Sequence, residues 1–142
     1  MEKIKEAYID SEVFITSSLD TSSHASKARQ IIAAVGDQII RGYTATLTFD
    51  ELVFIVGKFA GFENSLIAGD AFLNISNLKF IDVTYESLLT AQELIKKYKI
   101  RPRDAIHAAC ALSESVKTII SDDSDFDVVK EIERISIKEF KV

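Results

Sequence analysis

With 142 residues, 47% of them hydrophobic and 27% charged, the sequence is rich enough in apolar residues for one core, which excludes an intrinsically disordered chain and leaves a single domain over 1–142 as the expectation. Seventeen Lys and Arg against twenty-two Asp and Glu give a net charge of −5, which argues against a protein that coats nucleic acid through its overall field. The lone Cys110 cannot form an internal disulfide, MEKIKEAYID lacks the apolar run of a secretory signal, and the longest apolar run, Leu52 to Gly57, is far too short for a membrane span, so a soluble cytoplasmic protein is expected.

Ala7-Tyr8-Ile9 predicts a first strand, stopped abruptly by Asp10 and followed by a polar turn and a brief helical or loop segment through Val13-Phe14-Ile15. Thr21, Ser22 and Ser23 offer N-cap hydroxyls to a helix with Ala25, Ala28, Ile31, Ile32 and Val35 on one face, closed by Gly36. Tyr43 to Leu47 favours a strand, and Thr48 is the expected cap of a helix through Leu52, Val56 and Phe59 that ends at Gly61. A further helix carries Leu66, Ile67, Ala71, Phe72 and Ile75, after which Leu78 to Val83 alternates with the period of a strand. Thr84 caps a helix containing Leu88, Ala91 and Ile95, Pro102 suits the first turn of the next, and short strands are expected at Thr118-Ile119-Ile120 and Ile135-Ser136-Ile137. Strands interleaved with helices define an α/β fold with a mainly parallel sheet.

Acidic residues stand at the junctions of these elements: Asp10 after the first strand, Glu51 and Asp104 near helix starts, Asp123 and Asp125 after a late strand. In open parallel sheets the carboxyl ends of strands and the starts of the following helices share one edge, so four distant segments can meet there. Carboxylates gathered in this way raise one another's pKa unless a cation reverses the interaction, and oxygen ligands suit a hard divalent ion, which points to phosphate or phosphodiester chemistry. Each acid also has a structural reading, since first-turn acids favour the helix dipole and SDDSDFD serves equally as a solvated turn.

The segments YIDSEVFI, TLTFDELVF, RPRDAIHAACAL and SDDSDFDVV, in this order, resemble the acidic motifs of the PIN-domain ribonucleases over almost the whole chain. The resemblance implies a three-layer α/β/α sandwich and a Mg²⁺ or Mn²⁺ site of Asp10, Glu51, Asp104 and Asp123, with Asp125 as an auxiliary acid, that hydrolyses RNA. Short stand-alone members include the VapC toxins of toxin–antitoxin pairs, so a protein antitoxin and a homodimer are implied as well. Ser121 stands where the family has Thr, and the extra Asp122 is a further candidate ligand.

On this reading Asp10 and Asp123 are the main ligands, while Glu51 and Asp104 hold a second ion or orient water. Ser11 and Ser121 position that water or a phosphate oxygen, or Ser121 only satisfies backbone at the strand end. Arg101 and Arg103, beside Asp104, either meet RNA phosphates or balance the nearby acids, and Lys96, Lys97 and Lys99 read first as a helix C-terminus. His107, one turn after Asp104, reads as a packed histidine, with a hydrogen bond to Asp104 as the alternative; Cys110 reads as core. Phe54, Phe59, Phe62 and Phe72 exceed what one buried face needs and suggest a groove or dimer surface. Two other readings compete: a haloacid-dehalogenase-like phosphatase, which needs Asp where Glu12 stands, and a PIN fold that only binds.

Overall fold

Ala7 and Ile9 face one side of β1 (Glu6–Ile9) and Tyr8 the other, the period-two alternation of a strand buried on both faces. The computed structural model describes residues 4–141, so the extreme ends of the expected 1–142 domain lie outside it. After β1 come α1 (Ser11–Leu19), α2 (Ser23–Gly36), β2 (Arg41–Ala45), α3 (Leu47–Ala60), α4 (Phe62–Leu73) and β3 (Leu78–Ile81). The second half contains α5 (Tyr85–Tyr98), α6 (Pro102–Ser113), β4 (Thr118–Ile120), a 3-10 turn (Ser124–Val128) and β5 (Glu133–Ile135).

The five strands pair in the order β3-β2-β1-β4-β5, every pair parallel. One core, with Ile9, Val13, Ile31, Leu52 and Phe72, fills the space between the sheet and α1 to α4; the other, with Tyr8, Leu94, Ala108 and Ile119, lies under α5 and α6. The result is the three-layer α/β/α sandwich with a parallel sheet expected from the sequence. The chain moves outward from β1 to β3 and then returns to place β4 on the other side of β1. Strand order reverses between β1 and β4, which opens a crevice at their carboxyl ends.

Local chemistry explains most helix starts. Ser22 caps α2, Thr84 and Ser87 form a capping box on α5, and Pro102 occupies the first turn of α6, where a missing N–H costs nothing. Three expectations shift. Asp10 itself caps α1, so no polar turn separates strand from helix and Val13 to Ile15 lie inside a full helix. Thr48 is not a cap: α3 begins at Leu47, and the buried Thr48 hydroxyl instead pairs with Thr44 at 2.7 Å. The last strand is Glu133–Ile135, and Ile137 reaches the core from the segment after it, an alternation that imitates a longer strand.

Candidate active site

Asp10 ends β1 and opens α1, and both roles fix its carboxylate. Oδ1 accepts the Ser11 N–H at 2.8 Å and Oδ2 accepts the Ser121 hydroxyl at 2.7 Å, which joins the ends of β1 and β4. Ser121 in turn accepts the Asp123 N–H at 3.0 Å, so its oxygen braces two acids and is not turned toward solvent. Burial raises the Asp10 pKa and the Glu51 charge adds to it, while His107 and the Ser121 hydrogen bond oppose the rise.

Glu51 enters from the first half of α3 and His107 from α6. His107 Nε2 lies 2.5 Å from Glu51 Oε1 and 3.8 Å from Asp10 Oδ1, and its Nδ1 lies 2.6 Å from the Tyr8 hydroxyl. Ser11 Oγ donates to Glu51 Oε2 at 3.3 Å. Burial alone would lower the His107 pKa, but the Glu51 hydrogen bond and the charges of Asp10, Glu51 and Asp104 outweigh it and the net shift is upward.

The second half of the cleft is a carboxylate cluster. Asp104, in the first turn of α6, and Asp123 and Asp125, which follow β4, place one oxygen each within 4.8 Å of one another. Arg101, 70% exposed at the N-cap of α6, reaches all three, with Nη2 at 3.2 Å from Asp123 and 2.9 Å from Asp125, and Nε at 3.5 Å from Asp104. Even so, Asp104 Oδ2 is buried without a hydrogen-bond partner. Burial first, then the Asp123 charge, pushes its pKa up to about 6 against the opposing pull of Arg101.

These residues fit a hard divalent ion. The donors are carboxylate oxygens, their spacing suits a shared cation, and one buried oxygen, paired with Arg101 only at 3.5 Å, lacks the hydrogen bond that such groups nearly always have. Asp104, Asp123 and Asp125 would hold the ion, with Asp10 close enough to act on the Asp104 charge and Glu51 joined to the group through His107.

Asp10, Ser11, Glu51, Asp104, Ser121, Asp123 and Asp125 are thus brought together at the carboxyl ends of β1 and β4. Asp122 does not join them: its Oδ1 accepts the Ile137 N–H at 2.9 Å and its Oδ2 pairs with His24 at 2.7 Å, which corrects the expectation of a shared ligand. Arg103 is exposed on the first turn of α6. The sequence reading assigned Glu12 no place in the site and read His107 as packed or bonded to Asp104; the ring is buried, and its partners are Tyr8 and Glu51. Glu12 accepts the Asp122 N–H and lies 3.0 Å from the Ser121 hydroxyl, so it buttresses the loop after β4 and does not serve as the second acid of a dehalogenase-like pair.

The PIN domain family model matches residues 7–132. No curated protein gives a significant sequence match. Among solved structures, the chain resembles VapBC2 from Rickettsia felis bound to a DNA fragment from its promoter, with a TM-score of 0.73 at 15% identity, covering 92% of this chain and 98% of that one. It also resembles VapC20 of Mycobacterium tuberculosis, a sarcin-ricin loop cleaving toxin, with a TM-score of 0.72 at 13% identity and coverage of 87% and 95%. DNA-bound VapBC of Salmonella typhimurium follows with a TM-score of 0.69 at 18% identity and coverage of 94% and 98%. At these identities the likeness is one of fold.

Proposed function

The chain belongs to the PIN-domain family, and from that premise we propose that it is a Mg²⁺- or Mn²⁺-dependent ribonuclease, the toxin of a VapBC-type toxin–antitoxin pair. The observation that carries the nuclease reading is Asp104 Oδ2, a buried oxygen with no hydrogen bond and only a long 3.5 Å ion pair to Arg101, inside a carboxylate cluster at the strand-order reversal. A bound divalent ion supplies Lewis acidity, stabilising charge on the attacked phosphate and lowering the pKa of water. Asp104, Asp123 and Asp125 would hold it, with Asp10 and Glu51, the further candidate ligands, beside them. Glu51 orients the attacking water and takes its proton. Arg101, freed from the acids, meets a phosphate of the RNA by paired hydrogen bonds, and Arg103 lies on the same approach.

The toxin reading is supported by the likeness to VapBC structures across nearly the full length of both chains. A protein antitoxin is the expected partner and a homodimer the expected assembly. The apolar surface for self-association is formed by Phe54, Phe59 and Phe62, which are 65%, 68% and 71% exposed, while Phe72 belongs to the core. No helix among the described residues is long and apolar enough to cross a membrane.

Mn²⁺ titration calorimetry on the wild type and on a Glu51→Gln, Asp104→Asn double variant tests the reading, paired with cleavage of a structured RNA. Binding and cleavage in the wild type, both lost in the variant, are the expected results. Binding retained by the variant overturns the assigned site, and no binding by the wild type favours a PIN fold that only binds partners.

A further inference from the structure

We propose that His107 is a positioning residue: braced by Tyr8, its ring presents an Nε2–H to Glu51 and so sets how that carboxylate faces the acidic cleft. What Glu51 faces rests on the nuclease reading above; the rest is hydrogen-bond accounting.

Tyr8 Oη accepts the Ala45 N–H at 2.9 Å and lies 2.6 Å from His107 Nδ1, so that beside a neutral ring its own hydrogen is free to be donated to Nδ1. A neutral imidazole has one bare and one protonated nitrogen. With Nδ1 accepting from Tyr8, the hydrogen sits on Nε2, which faces Glu51 Oε1 at 2.5 Å, an oxygen that in its ionised form only accepts. Glu51 Oε2 takes its donor from Ser11. Each carboxylate oxygen therefore has one internal donor, and its remaining lone pairs are left for the cleft.

Two features separate this arrangement from a histidine that is simply packed. Both ring partners are side chains from other elements, 99 and 56 residues away, where a packed ring would ordinarily satisfy itself on nearby backbone. The ring is also held in orientation, since Tyr8 meets it edge-on with centroids 5.7 Å apart. The order Ala45 N–H to Tyr8 to His107 to Glu51 thus runs one way, from the end of β2, through β1 and α6, to α3. Groups that orient a metal-binding acid are commonly worth about 10–100-fold in metal affinity.

Two measurements test the proposal. Nitrogen-15 NMR of the ring, at a pH where its own shifts show it to be neutral, is expected to show the Nε2–H tautomer in the wild type and a mixture in Tyr8→Phe; a wild-type Nδ1–H tautomer overturns the relay. Mn²⁺ calorimetry is expected to show binding weakened about tenfold in Tyr8→Phe and His107→Leu, with most of it restored in His107→Gln, which keeps an N–H near the Nε2 position. Melting curves identify any variant that fails to fold, and Tyr8→Phe, which removes one oxygen, keeps the test open if His107→Leu does. Wild-type binding that all folded variants share overturns the positioning role and leaves the nuclease reading intact. A wild type that binds no Mn²⁺ overturns both, and is recognised as such because it appears before any substitution.

Discussion

Arg101 Nη2 stands 3.2 Å from Asp123 Oδ2, so a residue at the mouth of α6 neutralises a carboxylate delivered by β4. The same guanidinium touches Asp104 and Asp125, the position a divalent cation would compete for. Arg101→Gln is therefore expected to lower the melting temperature of the ion-free protein while tightening Mn²⁺ binding several-fold. If Arg101 also grips phosphate, KM for RNA rises in the same variant at saturating Mn²⁺. Calorimetry and steady-state cleavage separate the two effects, and unchanged Mn²⁺ affinity would show that Arg101 does not compete with the ion.

Asp104 gives a pH signature with a definite sign. Its folded pKa of about 6 lies above the ordinary value of 3.8, so between these values the native state keeps a proton that the unfolded chain has released. Stability of the ion-free protein then falls as pH rises through that window, by at most about 2–3 kcal/mol from this group. Asp104→Asn removes that slope and melts higher than wild type at neutral pH, yet binds no Mn²⁺. In the wild type, Mn²⁺ affinity drops as pH falls below about 6, because the ion must displace the proton. Equal pH slopes for wild type and variant would show that Asp104 ionises freely in the cleft.

Gly42 lets α2 approach the sheet. A Cβ placed there would lie 2.5 Å and 2.8 Å from the two γ-carbons of Val35, and 3.3 Å from Ile9 Cδ1. Gly42→Ala should destabilise the fold by about 1–3 kcal/mol through overpacking, and adding Val35→Ala should recover part of that loss. Denaturant titration of the two single variants and the double variant measures the coupling; strict additivity would mean the space is made elsewhere.

Phe59 and Phe62 are exposed near the junction of α3 and α4, so replacing both by Ser should leave the melting temperature nearly unchanged. Sedimentation is expected to show a dimer for the wild type and a monomer for the double variant. A dimer that survives would place the self-association surface elsewhere, and the Tyr85, Leu88 and Leu89 face of α5 would be the next to vary.

The sheet and the acids were legible because both are written locally. An apolar run cut short by Asp10 marks a strand end, and Pro102 followed by Asp104 marks a helix start, without reference to any other part of the chain. What was hidden depends on partners distant in sequence. His107 sits in an alanine-rich helix, and nothing near it announces that Tyr8 and Glu51 will meet its two nitrogens. Asp122 and Asp123 look alike in SDDSDFD, yet a backbone N–H at Ile137 and the His24 ring draw one of them out of the cleft. Ile137 completes the alternation of a strand, although its burial is achieved after the ladder has ended.

The hydrogen bond between Ser121 and Asp10 spans 111 positions, and β1 meets β4 only after two other strands and six helices have been laid down. Contacts of such long sequence separation form late, because the intervening loop must be closed before they repay its entropy. A chain that ends before β4 lacks Asp123 and Asp125 and so holds no assembled acid cluster. On the proposed nuclease function, activity would then be the last property acquired during folding, and an incomplete chain would have none.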